Sequence, residues 1–277
     1  MSQTIRIALF PGVEEYPELV GLTRIFEQQQ IASEIQLKRG NFSANSLLHG
    51  AEDAAITPLE NLPVHQTEGI VIAAIIERQN PAECLVVSPK ARDEAMLFKL
   101  REQAIVYTRT MRQQAQMNDF RPDVQFLEQL DEKEEVWQLL ETGRLDAAIL
   151  PAYTLTLAGE KFSDFHFQYF HPREFVPAPG QGALAVLACR EDTAIRKILQ
   201  AVHKPDISGL TNIERGCLRL AGESFNGKLG VYAERDKQDN YHVRAVVADG
   251  SGNLRRTSLS SSTNYQISER ILKELGF

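Results

Sequence analysis

Short apolar runs of strand length alternate with amphipathic stretches of helix length along most of this 277-residue chain. The first such run is Ile5–Phe10, and a later one, Ala183–Cys189, is apolar throughout. A continuous apolar run is typical of a strand that is buried on both faces of a sheet. Strands that alternate with helices build layered α/β domains, so the sequence predicts an α/β fold.

The pattern predicts three domains. Two α/β lobes are expected around a cleft, lobe 1 from residues 1–76 and 183–204 and lobe 2 from residues 77–182. Within lobe 2, the stretch 92–103 is predicted to be a helix. Residues 205–277 differ, because their strand-like runs are joined by short polar links, which favour an antiparallel sheet. We therefore expect a small C-terminal α/β domain with such a sheet.

Composition excludes several classes of protein. With 43% apolar and 24% charged residues, the chain can bury a core without disulfides. Because 30 basic residues face 37 acidic ones, the net charge of −7 argues against a nucleic-acid partner. No apolar run reaches the roughly 18 residues that a membrane helix needs, and the N-terminus lacks the features of a signal peptide. We expect a cytoplasmic protein with no membrane partner.

Motifs for metal or nucleotide binding are absent from the sequence. The three cysteines lie far apart, so no metal site is predicted, and Cys217 is expected to fill core volume on a helical stripe with Leu210, Ile213 and Leu220. No Walker loop occurs, and the Gly180-Gln181-Gly182 segment lacks the third glycine of a dinucleotide fingerprint. The residues alone therefore predict a two-lobed protein that binds a small molecule near strand ends.

The segment 175–190 reads FVPAPGQGALAVLACR. It is similar to the PAxGQGALxIExR signature of the porphobilinogen deaminases, also called hydroxymethylbilane synthases. The resemblance continues in GIVIAAIIERQNPAECLVV from residue 69, GRLDAAIL from residue 143 and NIERGCLRLAG from residue 212. It implies a monomer with two lobes of periplasmic-binding-protein type and a third domain. It also implies head-to-tail joining of four porphobilinogen units with loss of ammonia.

The family attaches its dipyrromethane primer to a cysteine in a GGCxxPxG loop. The corresponding loop here is Gly222–Gly230, which is one residue longer and has Ser224 in place of the cysteine. A serine hydroxyl is a much poorer nucleophile than a thiolate near neutral pH. We therefore expect no dipyrromethane cofactor, and no other cofactor is predicted.

The family also uses a carboxylate that stabilises positive charge on the pyrrole nitrogens. Asn61 occupies that position here, inside the sequence Thr57–Pro63. A neutral amide cannot supply this electrostatic stabilisation, whose loss typically costs about 100-fold or more in rate. Asn61 and Ser224 are thus the two catalytic positions that the resemblance marks as replaced.

Basic side chains pair with the acetate and propionate groups of each pyrrole in the family, a task suited to arginine. Arg112 survives from the paired-arginine motif, Gln113 replaces its neighbour, and Arg39 precedes a shortened loop. Gln181 and Gly182 of the signature complete the candidate ligand contacts. For Arg112 an anion contact and a structural role on the surface both remain open. For residues 177–183 a structural role in the crossover is favoured.

Three hypotheses follow. The first is a porphobilinogen deaminase-family protein of tetrapyrrole metabolism that has lost the standard reaction and binds an anionic pyrrole-type or other small molecule. The second is an active hydroxymethylbilane synthase with altered machinery, in which Ser224 or a preformed bilane serves as the anchor. The third is a non-catalytic protein on the same fold that binds a small ligand or a partner.

Overall fold

A computed structural model describes residues 4–10, 34–39, 44–127, 130, 135–155 and 162–277, with the backbone alone for 34–39. The elements in this part of the chain are, in order, β1 (Thr4–Leu9), β2 (Glu34–Arg39), α1 (Ala44–Leu48), β3 (Ala54–Pro58), β4 (Ile70–Arg78), β5 (Glu83–Val87), β6 (Ile105–Tyr107), α2 (Met111–Phe120), β7 (Gln125–Leu127), α3 (Val136–Thr142), β8 (Ala147–Pro151), α4 (Ala152–Leu155), β9 (His166–Tyr169), β10 (Ala183–Cys189), α5 (Thr193–Leu199), α6 (Pro205–Ala221), β11 (Leu229–Arg235), β12 (Tyr241–Ala248), β13 (Leu254–Ser261) and α7 (Ile267–Leu275).

The chain divides into two compact units. Residues 1–79 and 180–212 form the first unit, and residues 80–179 and 213–277 form the second. The division falls inside helix α6, which passes from one unit into the other at residue 212. The second unit contains both the predicted lobe 2 sheet and the predicted C-terminal sheet. The predicted three-domain boundaries stay a prediction.

The first unit is built on a five-stranded sheet with the order β2-β1-β3-β10-β4. Strands β1, β2 and β3 pair in parallel, and β10 pairs antiparallel with β3 on one side and β4 on the other. Strand β10 lies inside the sheet, and Ala183–Ala188 are fully buried there, as the continuous apolar run predicted. Its side chains pack with those of β3, β4 and α1 in one core.

The second unit contains a sheet of the same plan, with the order β7-β6-β8-β5-β9. Strands β6, β7 and β8 are parallel, and β5 runs antiparallel between β8 and β9. Helix α2 starts where the Thr110 hydroxyl accepts a hydrogen bond from the Gln113 N–H at 3.2 Å, and it ends before Arg121. Pro122 disfavours helical backbone at that residue.

A separate three-stranded antiparallel sheet, β11-β12-β13, follows in the second unit. Helix α7 packs on β12 and β13. Its Ile267, Ile271, Leu272 and Leu275 are buried and share one face at helical spacing. The predicted fold class is therefore confirmed: the protein is α/β, with two mixed five-stranded sheets and a separate antiparallel sheet at the C-terminus.

The predicted helix over 92–103 is wrong. This stretch contains the short 3-10 turn Leu97–Lys99, and Phe98, Lys99 and Gln103 have positive φ angles of 60°, 54° and 52°. The ring of Phe98 packs edge-on against Phe120 with ring centroids 5.7 Å apart. Tertiary contacts therefore override the local helical pattern.

Candidate functional site

Four predicted site residues of the first unit lie at the same edge of its sheet. Arg39 is the last residue of β2 and pairs in register with Leu9, the last residue of β1. Asn61 follows the end of β3, and Gln181 and Gly182 precede β10, whose Leu184 pairs with Pro58 at that end. This edge holds the carboxyl ends of three parallel strands, where open α/β sheets bind ligands.

Asn61 ends a short 3-10 helix, Leu59–Asn61, that continues directly from β3. The apolar Leu59 is buried and anchors this turn, whereas Asn61 is exposed. The amide at this position can donate and accept hydrogen bonds but carries no charge. The position is therefore open to a ligand, and the residue there cannot balance a cation.

Gln181 and Gly182 hold the turn that leads into β10. The Gln181 carbonyl accepts a hydrogen bond from the Arg78 Nε at 3.2 Å, and the Gly182 carbonyl accepts one from the Gln79 N–H at 2.8 Å. Gly180 and Gly182 have φ angles of +85° and +78°, which favour glycine. A Cβ on Gly180 would lie 2.9 Å from the Leu59 Cδ2, so this turn fits closely against the Asn61 turn.

Arg112 lies in the first turn of α2. It is buried, with only 1% of its surface exposed, so the predicted position on the surface is wrong. Its Nη2 donates to the Glu83 Oε1 at 2.6 Å, and its Nη1 donates to the Val176 carbonyl at 2.6 Å. Glu83 is itself fully buried at the start of β5. The guanidinium thus joins α2 to β5 and to the segment after β9.

The N-terminus of α2 is capped by groups of the protein itself. The Arg112 N–H donates to the Gly227 carbonyl at 2.9 Å, and the Thr110 hydroxyl takes the Gln113 N–H. The buried Gln113 side chain returns to accept from the Arg109 N–H at 2.9 Å. This reciprocal arrangement resembles a capping box. Gln113 therefore holds the start of the helix, and the N–H groups of Arg112 and Gln113, of the kind that attract anions at other helix starts, bind groups of the protein.

Ser224 lies in a 3-10 turn, Glu223–Phe225, that links α6 to β11. The residue is exposed, and its hydroxyl has no hydrogen-bond partner among the residues that the structure describes. The same loop carries Gly227, so the loop with Ser224 lies beside the start of α2. A serine needs a neighbouring general base to act as a nucleophile. In the described part of the chain, no such base makes a hydrogen bond to the Ser224 hydroxyl.

Burial makes two thiols of the second unit, those of Cys84 and Cys217, unreactive. Cys217 precedes the Ser224 loop on α6 and is fully buried, and burial raises the pKa of its thiol to about 12. Burial also raises the pKa of the Cys84 thiol to about 12. A thiol with such a pKa is almost entirely protonated near neutral pH, and the thiolate is the reactive form.

Gln116 is a structural partner that sequence reasoning missed. It is fully buried, its Nε2 donates to the Val176 carbonyl at 3.0 Å, and its Oε1 accepts from the Val176 N–H at 2.7 Å. Residues four apart share a helix face, so the Arg112–Gln116 spacing indicates that both point the same way. That spacing is the signal that could have found it.

The residues that the structure describes contain neither a cluster of metal ligands nor a helix that could span a membrane. No group of three or more His, Cys, Asp or Glu side chains there is placed to hold a metal ion. In the same ranges, no helix has both the length and the apolar character required to cross a bilayer.

Comparison with known proteins decides the family. Residues 42–197 match the family model described as "Porphobilinogen deaminase, dipyromethane cofactor binding domain". The chain belongs to the porphobilinogen deaminase family. The porphobilinogen deaminase of Thermobifida fusca is 33% identical over 237 residues, which cover 84% of this chain and 72% of the relative. That of Caldicellulosiruptor saccharolyticus is 27% identical over 206 residues, covering 74% and 68%.

The match to the porphobilinogen deaminase model includes some candidate residues and not others. Asn61, Arg112, Gln113, Gln181 and Gly182 lie inside 42–197. Arg39 and Ser224 lie outside it.

A periplasmic binding protein of Salmonella typhimurium with high arginine specificity is similar in fold, with a TM-score of 0.44 and 12% identity over 73% of this chain and 92% of that chain.

Proposed function

We propose that this porphobilinogen deaminase-family chain does not perform dipyrromethane-primed joining of porphobilinogen and binds a small anionic molecule instead. The observation that carries the proposal is the state of Ser224, whose exposed hydroxyl has no basic partner among the described residues. Without a base, a hydroxyl near neutral pH forms no appreciable alkoxide, so attachment of a primer there is slow.

The residues at the attachment position do not fit a dipyrromethane cofactor. The thioether that would hold it requires a thiol, and Ser224 supplies oxygen. The nearby Cys217 cannot take over the role, because it is fully buried and its thiol has a pKa raised to about 12.

Two further features support the loss of the standard reaction. Asn61 offers a neutral amide where positive charge must be stabilised, which alone typically costs about 100-fold or more in rate. Arg112 directs its guanidinium at Glu83 and the Val176 carbonyl, inside the second unit. Asn61 therefore lacks the negative charge that the reaction needs, and the retained Arg112 guanidinium pairs inside the protein rather than with a substrate carboxylate.

A small-molecule role is supported by what remains. Asn61, Gln181 and the backbone of Arg39 share the sheet edge formed by the carboxyl ends of β1, β2 and β3. This edge is the usual ligand position in open α/β sheets. Gln181 is buried in its turn, so Asn61 is the exposed amide here, and hydrogen bonds from a neutral amide suit a ligand with fewer carboxylates than a pyrrole chain.

Intact mass spectrometry of the purified chain tests the cofactor proposal directly. We expect the measured mass to equal the sequence mass, because no thiol is available at residue 224. An active porphobilinogen deaminase purified in the same way serves as the control for cofactor retention. An added mass of two pyrrole units on Ser224 or on any cysteine contradicts the proposal.

Incubation with porphobilinogen tests the activity. We expect no consumption of porphobilinogen, with or without added preformed bilane. Consumption that needs preformed bilane, or that disappears in a Ser224→Ala variant, would instead establish an enzyme with altered machinery.

A thermal-shift screen of small carboxylates and pyrroles tests the binding role. A ligand at 100 times its dissociation constant adds about 2.7 kcal/mol to stability. An Asn61→Ala variant should lose the shift if the ligand binds at the sheet edge. A screen without any shift contradicts the small-molecule role.

A further inference from the structure

A cavity of about 280 Å³ in the second unit is surrounded by three arginines. Its lining includes Arg173, Arg244 and Arg256 together with Val176, Val246 and Ser258. Of these residues only Val176 was met above, where its backbone pairs with Arg112 and Gln116. We propose that this cavity binds a small dianion, a phosphate or a dicarboxylate.

Strand register explains how two of the arginines meet. Arg244 on β12 pairs with Ser258 on β13, and Val246 pairs with Arg256. Directly opposed residues of an antiparallel pair share a face, and so do residues two apart on one strand. Arg244 and Arg256 are therefore diagonal neighbours on one face of the C-terminal sheet, within reach of a common ligand.

The third arginine comes from the turn after β9. The Arg173 Nε donates to the Glu234 Oε1 at 2.7 Å, and the Arg244 Nη1 donates to the same oxygen at 3.3 Å. One carboxylate on β11 thus holds two guanidinium groups side by side. Its interaction with Arg173 also raises the pKa of that arginine, which keeps it charged.

Arg256 is fixed separately. Its Nη1 donates to the Glu174 carbonyl at 3.0 Å, and its Nη2 bonds to the Asp119 carboxylate at the end of α2. The three side chains are therefore oriented before any ligand arrives, which lowers the entropic cost of binding.

Charge and donor count favour a dianion. Three guanidinium groups face two carboxylates, those of Glu234 and Asp119, so the cavity keeps a positive excess in a chain whose net charge is −7. A guanidinium has more N–H donors than these bonds use. The planar fork of arginine matches the paired oxygens of phosphate and carboxylate.

Size limits the ligand class. The volume lies just below the usual range of about 300–1,000 Å³ for sites that hold drug-sized ligands. Apolar side chains of Val176 and Val246 line part of the wall, which suits a short carbon chain between two carboxylates. The volume of the cavity therefore fits one small molecule.

Isothermal titration with inorganic phosphate and, separately, with succinate tests the proposal and distinguishes the two ligand sources. We expect saturable binding of one or both probes at one site per chain. Arg244→Gln and Arg256→Gln should each weaken it by about tenfold or more, since each removes a charge-assisted pair of hydrogen bonds. Arg235→Gln is the matched control on β11, because Arg235 lies outside the cavity lining and pairs with Asp239 at 3.0 Å.

Amide chemical-shift mapping on the unmodified protein gives a readout that does not depend on variant folding. Shift changes that saturate together and centre on residues 173–176, 244–246 and 256–258 support the site. Absence of saturable binding to both probes overturns the proposal. Equal weakening by Arg235→Gln, or shift changes centred elsewhere, also overturns it, because either result indicates unspecific attraction or another site.

Discussion

Glu83 and Arg112 form an ion pair in which both side chains are almost completely buried. Removing two charges from water is costly, so such a pair adds little stability over an apolar pair of similar volume. The loss of one partner is a different matter, because the remaining charge then stays buried without compensation. Because of this asymmetry, substitution of Arg112 distinguishes a structural role of its side chain from a ligand-binding role.

Arg112→Met should lower the free energy of unfolding by about 3–5 kcal/mol, since it leaves Glu83 buried and unpaired. Adding Glu83→Gln to that variant should recover much of the loss, because the buried charge is gone. Urea unfolding measures both changes.

Arg109→Met is the matched control, an exposed arginine three residues away, and it should change stability by less than about 0.5 kcal/mol. If Arg112→Met costs no more than Arg109→Met, the buried pair does not have the structural role described.

The burial of apolar residues was easier to predict from the sequence than the surroundings of a polar side chain. Cys217 and Ile213 are buried, as the helical stripe predicted, whereas Leu220 of the same stripe is 54% exposed. The burial of Arg112 could not be predicted, because its acceptors Glu83 and Val176 lie 29 and 64 residues away. Helical spacing identifies a face, but only the assembled fold shows what covers it.

At the scale of elements, the conformation of the segment 89–103 depends on one side chain, that of Arg121, which follows it in the sequence. The Arg121 guanidinium donates to the carbonyls of Leu97 and Leu100, each at 2.8 Å, and to the Arg101 carbonyl at 3.0 Å. These carbonyls would otherwise accept helical hydrogen bonds. Because Arg121 binds these carbonyls, the segment forms a loop, and the helix that the sequence pattern predicted does not form.

Arg121→Ala should lower the free energy of unfolding by about 3 kcal/mol, because three carbonyls and a carboxylate lose a charged donor. Arg92→Ala in the same loop is the control, since Arg92 makes an exposed ion pair with Glu94 and should cost no more than about 1 kcal/mol. Equal losses in urea unfolding would show that Arg121 does not hold the loop.

The ion pair between Arg121 and Asp123 predicts that stability depends on pH. A hydrogen bond from Arg121 lowers the pKa of Asp123 to about 2 from 3.8. Because the folded pKa is the lower one, the stabilisation is complete above the unfolded pKa and is lost as the pH falls through the folded value. Asp123→Asn should therefore destabilise at neutral pH, with a difference from the parent that shrinks below about pH 4. A difference that stays constant with pH would contradict this.

At the scale of the whole molecule, the fold class followed from the alternation of strands and helices, but the strand order did not. In each large sheet, one strand that is distant in sequence runs antiparallel at an interior position: β10 between β3 and β4, and β5 between β8 and β9. Local periodicity contains no information about such insertions. The apolar run of β10 indicated burial, and only the assembled sheet shows its neighbours.

The family could be predicted from motifs because those motifs form turns and buried strands, such as the Gly180–Gly182 turn into β10. The arginine cavity of the second unit could not, because its residues come from β12, β13 and a turn before residue 176. Each of these arginines looks like an ordinary surface residue in the sequence.

The hydrogen bond from the Arg112 N–H to the Gly227 carbonyl bears on protein engineering. Introducing a cysteine at residue 224 would supply sulfur on a loop whose backbone already closes the start of α2. Such a substitution alters one side chain and leaves this backbone contact in place, so the thiol would inherit whatever position the present main chain gives it.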